Sequence, residues 1–205
     1  MMTLLESRFL TSAQTIHQAP PPLHSEIAFV GRSNVGKSTL LNSLLAKKLA
    51  KSSSTPGKTQ LINYFESRWR FGDSQITLYF VDLPGFGYAK VSKETKKHWE
   101  RNLLEFLQKR NNIKLFLQLI DARHPDLPID SKALAFIKAH TNNDQQLLQI
   151  FTKCDKLSKN DLKNLQARHR GCLFARLPMA DAMRDSLLQA FFDALALKGH
   201  DESTN

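Results

Sequence analysis

Cysteine is scarce in this sequence. Only Cys154 and Cys172 occur among 205 residues, with no CxxC pair, so neither a zinc site nor a disulfide framework is indicated and a reducing compartment fits. Long apolar runs are missing too, and nothing approaches the ~20 residues that cross a bilayer as a helix. The N-terminus, with Glu6 and Arg8 around a short apolar stretch, lacks the core of a secretory signal. A soluble, cytoplasmic protein is expected. No internal repeat or low-complexity tract is present, which excludes repeat arrays. Acidic residues are outnumbered, 19 Asp and Glu against 29 Lys and Arg, giving a formal charge of +10 and a pI near 9.7. Such a field attracts polyanions, RNA above all, although a solvated lysine-rich surface has the same composition.

The chain is long enough, at 41% hydrophobic residues, for one full core and too short for two comfortable ones. Residues 1–24, ending in Ala19-Pro20-Pro21-Pro22, are expected as an extended lead-in, because a proline run cannot continue a helix. Residues 25–198 form the expected nucleotide-binding domain, and residues 199–205 a polar tail. Strands are expected at residues 26–30, 61–65, 76–81, 114–120, 146–151 and 172–175. Helices are expected after Gly36 (Leu40, Leu41, Leu44 and Leu45 at helical spacing) and over residues 92–110, 131–139, 158–168 and 182–197. Residues 47–60 are too polar to pack and read as a mobile loop. Strands alternating with helices predict an α/β domain of three layers, a mostly parallel six-stranded sheet with helices on both faces.

Gly31-Arg32-Ser33-Asn34-Val35-Gly36-Lys37-Ser38 matches the G-x-x-x-x-G-K-[ST] phosphate loop, and it stands between a strand and a helix as that loop requires. Glycines let backbone N–H groups turn toward phosphate oxygens, and the positive end of the following helix favours the anion. Lys37 would bridge the β- and γ-phosphates, and Ser38 would ligate Mg2+. Asp82-Leu83-Pro84-Gly85 ends an apolar strand. Asp82 is suited to the Mg2+ shell, and the Gly85 N–H to the γ-phosphate. Thr152-Lys153-Cys154-Asp155 follows another strand, at the carboxyl end where open α/β sheets bind ligands. Asp155 can accept from both the ring N–H and the exocyclic amine of guanine, a donor pair that adenine lacks, so GTP is favoured over ATP. The Lys153 stem would lie against the base.

With these elements in order, the chain resembles the EngB (YihA/YsxC) family of bacterial ribosome-biogenesis GTP-binding proteins. Thr55-Pro56-Gly57-Lys58-Thr59-Gln60 and Phe86-Gly87-Tyr88 add to the likeness, which runs from about Phe9 to the last helix. The resemblance implies a P-loop GTPase domain that binds GTP and GDP with Mg2+. It implies that Thr59 closes on Mg2+ in the GTP state, that Gly57, Lys58, Thr59, Gln60 and Leu61 line the nucleotide, and that the last base contact falls on Phe174, Ala175 and Arg176. It implies partners, namely the large ribosomal subunit or its assembly intermediates and ribosomal RNA, and a link to cell division and septation. A monomer is expected. Three departures stand out, the first being Ala175-Arg176, where the family tends to carry a small hydroxyl residue. Thr152 replaces the Asn of the wider GTPase pattern, and Phe86 occupies the place where a Gln orients the attacking water in Ras-type enzymes, so intrinsic turnover should be slow. In resembling GTPases that lack the Gln, an Asn in the position of Asn34 helps hold K+ beside the phosphates. Asn34 is equally suited to a loop needing an unusual backbone conformation. Lys37, Thr59 and Asn34 are thus the residues expected at the reacting phosphate. A GTP-controlled module that barely hydrolyses remains an alternative, while Asp155 disfavours an ATP-dependent kinase. Lys47, Lys48, Lys51 and Lys58, with Lys90, Lys93, Lys96 and Lys97, cluster in or after the phosphate-sensing loops, where they would let nucleotide state govern docking to RNA.

Overall fold

The computed structural model describes residues 2–50, 61–86, 93–176, 179 and 181–196. Its elements run β1 (Met2–Ala13), β2 (Glu26–Gly31), α1 (Lys37–Leu44), β3 (Ile62–Phe71), β4 (Ser74–Asp82), α2 (Lys93–Lys109), β5 (Ile113–Asp121), α3 (Pro128–His140), β6 (Gln146–Thr152), α4 (Lys159–Arg168), β7 (Leu173–Phe174) and α5 (Asp181–Ala196). One seven-stranded sheet has the order β1-β3-β4-β2-β5-β6-β7. Pairings from β4 through β2, β5 and β6 to β7 are parallel, and β1 with β3 and β3 with β4 are antiparallel.

The expected three-layer α/β architecture is present, with seven strands rather than six. The extra one is β1, which overturns the reading of residues 1–24 as a lead-in outside the sheet. Its alternation is concealed by two bulges, between Leu4 and Glu6 and between Phe9 and Thr11. Each bulge inserts a residue and flips the side chains that follow to the other face. Leu4 accordingly packs into one apolar cluster and Leu10 and Ala13 into the other, so no period of two survives. Other boundaries moved by a few residues, and the hairpin expected at Gly72-Asp73 joins β3 to β4. Residues 51–60, most of the expected mobile loop, lie outside the described residues, as do residues 87–92 and 197–205.

Strand alternation sorts the core into two main layers. Leu115, Leu117 and Leu119 of β5 face α1 and α5 through Leu40, Leu41, Leu44, Leu187, Leu188 and Phe191. Phe116 faces α2 and α3 through Phe106, Leu107 and Ile137, and Ile120 with Phe151 meets Leu165 of α4. The central strand β2 is buried along its whole length, as a parallel strand covered on both faces must be. It begins with Glu26, fully buried and clasped by Arg110 just beyond α2: Nε lies 3.0 and 3.1 Å from the two carboxylate oxygens. Nη2 of Arg110 also donates to the Pro20 carbonyl at 2.7 Å, and the guanidinium lies over the Tyr64 ring. The proline stretch is thereby tied to the sheet.

Burial pushes the Glu26 carboxyl up, and the Arg110 hydrogen bonds and charge work against that. Replacing Arg110 by Met should leave a buried carboxylate without its cation and cost about 3–5 kcal/mol, whereas replacing both residues by Met should recover most of the loss. A carboxyl raised in the folded state favours folding at low pH and loses that contribution as pH rises. The deficit of the single variant should therefore shrink on acidification, which urea titrations at several pH values measure.

Candidate nucleotide-binding site

The phosphate loop leaves the carboxyl end of β2 at Gly31. A Cβ there would meet Val35 Cγ1 at 2.9 Å and the Leu119 carbonyl at 3.0 Å, so only glycine fits. The loop then takes two left-handed residues, Asn34 at φ 60° and Gly36 at φ 108°, before α1 begins. For Asn34 the unusual backbone conformation is thus observed.

A loop that turns its N–H groups inward turns carbonyls outward, and these need donors. The Gly31 carbonyl accepts from the Phe86 N–H at 3.3 Å and that of Gly36 from the Leu40 N–H at 2.9 Å. The Asn34 carbonyl accepts from Lys153 Nζ and the Val35 carbonyl from Thr152 Oγ1, both at 2.6 Å. Ser33 returns the contact from β4's loop, its N–H donating to the Phe86 carbonyl at 3.1 Å. Gly85 sits so close that a Cβ would lie 3.0 Å from both the Ser33 nitrogen and Oγ. The motifs at Asp82–Gly85 and Thr152–Asp155 thus converge on one loop. Phe86 holds it by backbone alone, and its ring packs against the apolar cluster containing Ala28, Val30 and Val81.

At the centre, Lys37 Nζ lies 3.9 Å from Asp82 Oδ1, both largely buried. That oxygen and Ser33 Oγ are buried without a hydrogen-bond partner. Burial pushes the Asp82 carboxyl up and Lys37 pulls it down. A buried carboxylate oxygen without a hydrogen-bond partner is a ligand that suits a hard divalent cation, so Asp82 fits Mg2+. Leu83 continues β4, its N–H donating to the Phe29 carbonyl at 3.1 Å.

On the base side, Thr152 is fully buried and Asp155 is exposed, its carboxylate 3.3 Å from Lys156 Nζ. Cys154 is buried, with its thiol pushed up to about 11. Its contribution is the backbone: its N–H donates to the Ala175 carbonyl at 3.2 Å, and the Ala175 N–H donates to the Phe151 carbonyl at 2.7 Å. These bonds seat Phe174, Ala175 and Arg176 beside Thr152–Asp155. They also engage the Ala175 N–H, while that of Arg176 donates to the weak Met183 thioether at 3.4 Å. Leu61 is half-buried, while Gly57, Lys58, Thr59 and Gln60 lie outside the described residues.

Sequence reading missed two carboxylates. Asp121 ends β5 and accepts from Lys153 Nζ at 2.9 Å and from Arg123 Nη2 at 2.7 Å. Burial alone would raise its carboxyl, but the Arg123 and Lys153 hydrogen bonds and the Lys153 charge hold it far below the usual range. Its place at a strand's carboxyl end, like that of Asp82, is the signal that could have found it. Asp130 of α3, 3% exposed, accepts from Arg32 Nε at 3.0 Å. It has no local signature, since its partner is 98 residues away.

Residues 26–153 match a family model described as 50S ribosome-binding GTPase. A probable GTP-binding protein EngB from Wolinella succinogenes is 60% identical, with 86% of this chain and 89% of that protein covered. The chain belongs to the EngB family of GTP-binding proteins, and it is a GTPase. An EngB-family protein from Helicobacter pylori is 47% identical over 92% of this chain and 97% of its own. Among solved structures, a probable GTP-binding protein engB covers 84% of this chain at TM-score 0.60 and 22% identity, with 99% of that chain matched. Era in complex with MgGDPNP and 16S ribosomal RNA covers 83% at TM-score 0.62 and 24% identity, with 56% of that chain matched. Both share the fold. Among the described residues no helix is long and apolar enough to cross a membrane.

Two measurements probe the site. Thr152→Val should leave the Val35 carbonyl without its hydroxyl donor, costing about 1–3 kcal/mol in urea unfolding and weakening GDP binding, and Thr152→Ser should restore both. Asp82→Asn should raise the melting temperature of the nucleotide-free protein, by roughly 2–4 °C per kcal/mol released, because it removes a charge that burial disfavours. The difference should narrow as acid protonates the wild-type carboxyl. The same variant should lose the tightening of GTP binding by Mg2+.

Proposed function

We propose that this EngB-family protein is a Mg2+-dependent, slow GTPase that acts as a cytoplasmic switch in assembly of the large ribosomal subunit, with a role in cell division and septation. The observation that carries the nucleotide half is the convergence of Thr152 and Lys153 on the carbonyls of Val35 and Asn34. It makes base recognition and phosphate binding parts of one rigid unit. The ribosomal half is supported by the description of the matching family model and by the +10 charge.

In this reading Asp155 accepts from the two guanine donors, and the Lys153 stem lies along the base while its ammonium stays on Asn34 and Asp121. Lys37 neutralises phosphate oxygens, and the backbone N–H groups of Gly36, Lys37 and Ser38 at the start of α1 cradle them. Ser38, Asp82 and Thr59 would hold Mg2+, which supplies positive charge to the phosphoryl oxygens. Phe86 can neither orient nor deprotonate water, so hydrolysis without a partner is slow. The Asn34 side chain would help hold K+, which would supply positive charge to the transition state.

The test is GTP turnover in Mg2+ with K+ or Na+, with and without isolated large-subunit particles, beside GTP and ATP binding to wild type and Asp155→Ala. Guanine-selective binding that the variant loses, with turnover raised by particles and by K+, is the expected result. Turnover indifferent to particles would sink the switch, and equal rates in K+ and Na+ would sink the role of Asn34.

A further inference from the structure

Positive charge is distributed unevenly over this molecule. At the β1 edge two cations are matched across strands: Arg8 lies 2.9 Å from Glu66 and Arg68 lies 3.0 Å from Glu6. The opposite side of the sheet differs. Residues 156–176 carry six cations, Lys156, Lys159, Lys163, Arg168, Arg170 and Arg176, against the single acid Asp161. Asp161 serves the start of α4, where its carboxylate accepts from the Ser158 hydroxyl at 2.7 Å and its N–H returns the bond at 3.1 Å. Lys156 pairs with Asp155, and Arg168 with Asp126. Lys159, Lys163 and Arg170 are exposed and form no ion pair among the described residues.

Their placement follows from helical geometry. Leu162 and Leu165 turn α4 toward Phe151 and Ile120. Asp161, Asn164 and Arg168 line a groove of about 750 Å³ shared with Ala122 and Pro125, so they mark the flank facing the loop between β5 and α3. Lys159, Lys163 and Gln166, at i, i+4 and i+7, share the other flank, and Arg170 follows just beyond the last turn. This flank points outward past β7, which ends the sheet and among the described residues pairs with β6 alone.

We propose that this outer flank of α4, Lys159, Lys163 and Arg170 with Gln166 between them, is a docking surface for the phosphate backbone of RNA. Unpaired cations gain the most from meeting phosphates, because no existing ion pair is given up and counterions are released from the nucleic acid. The flank carries no exposed apolar side chain of the kind that anchors a basic helix in a lipid surface, since both leucines of α4 face inward. Gln166 can donate to phosphate or ribose oxygens without regard to sequence. The surface lies on the base-binding side of the sheet, beyond β6, whereas the γ-phosphate motifs follow β2 and β4. Docking here is therefore independent of whether GTP or GDP is bound. The inference rests on the reading above only for its class of partner, and it adds a permanent contact to a nucleotide-controlled one.

The experiment compares the full chain with Lys159→Gln/Lys163→Gln/Arg170→Gln and with Lys159→Arg/Lys163→Arg. The probes are a fluorescein-labelled hairpin fragment of large-subunit ribosomal RNA and an unrelated hairpin of equal length, titrated over a series of KCl concentrations with GDP or a non-hydrolysable GTP analogue. The slope of log Kd against log [KCl] should fall by about two to three in the triple Gln variant. The fall should be equal for both hairpins and both nucleotides, with the Arg variant unchanged and GDP affinity and melting temperature preserved. An unchanged slope overturns the proposal, as does a slope that falls only with the GTP analogue. Unchanged hairpin binding with lost binding to protein-containing particles would assign the flank to an acidic protein and also overturn it. The switch is judged separately: a normal fall in slope without particle-stimulated turnover keeps this surface and removes the switch, and the reverse pair of results does the opposite.

Discussion

The site depends on what becomes of the outward-facing carbonyls of the phosphate loop. Donors that point at an anion can be collected from consecutive residues only by twisting the backbone through left-handed positions, here Asn34 and Gly36. The turn sends the Val35 carbonyl toward the protein interior, where an unpaired acceptor costs about 1–3 kcal/mol, and leaves the Asn34 carbonyl nearer the surface. Thr152, Lys153 and Phe86 supply three of the missing donors. Motifs far apart in sequence meet here because this loop cannot hold its shape without them. Thr152 also becomes intelligible. A hydroxyl cannot reproduce both contacts of an amide, but the Val35 carbonyl asks for a single donor, and Thr152 Oγ1 provides it at 2.6 Å.

What the sequence made legible was local. Glycine at a left-handed position, an Asp ending an apolar strand, and Ser158 capping α4 each leave a signature within a few residues, and the strand-helix alternation follows from periodicity in the same way. What stayed hidden was non-local or disguised. β1 was hidden by bulges that shift leucines from one face to the other. Arg32 with Asp130 was hidden by distance along the chain, and Asp121 by the ordinariness of an Asp after a strand. Phe86 was legible as a missing Gln, but not as a residue that grips the loop through its peptide groups while its ring goes to the core.

Charge follows the same division between what is paired and what is left open. The deepest pair, Glu26 with Arg110, ties the start of the central strand to the end of α2 and to Pro20, and it has too little solvent around it to serve recognition. The cross-strand pairs on the β1 edge neutralise one another and blunt an edge that could otherwise add strands. The α4 flank has neither function inside the fold: among the described residues its three cations oppose no carboxylate. A protein of net charge +10 carries self-repulsion, and leaving three cations unmatched on one flank when acids are matched elsewhere concentrates the field where a polyanion can reach it.

The two sets of contacts on the phosphate loop differ in kind, and the difference bears on switching. Thr152 reaches the loop as a side chain from the end of β6, whose last three residues are buried, so releasing it would require opening the core. Phe86 reaches it through one N–H and one carbonyl, each worth about 0.5–1.5 kcal/mol net. A charged phosphate oxygen accepting from a backbone N–H yields about 1.5–3 kcal/mol, enough to compete with such a bond. An anion bound in the loop would therefore compete with the Phe86 contacts more readily than with the buried Thr152 contact. Because the grip at Phe86 is by backbone, the exchange needs no particular side chain there, and a phenylalanine can occupy the position without weakening the latch.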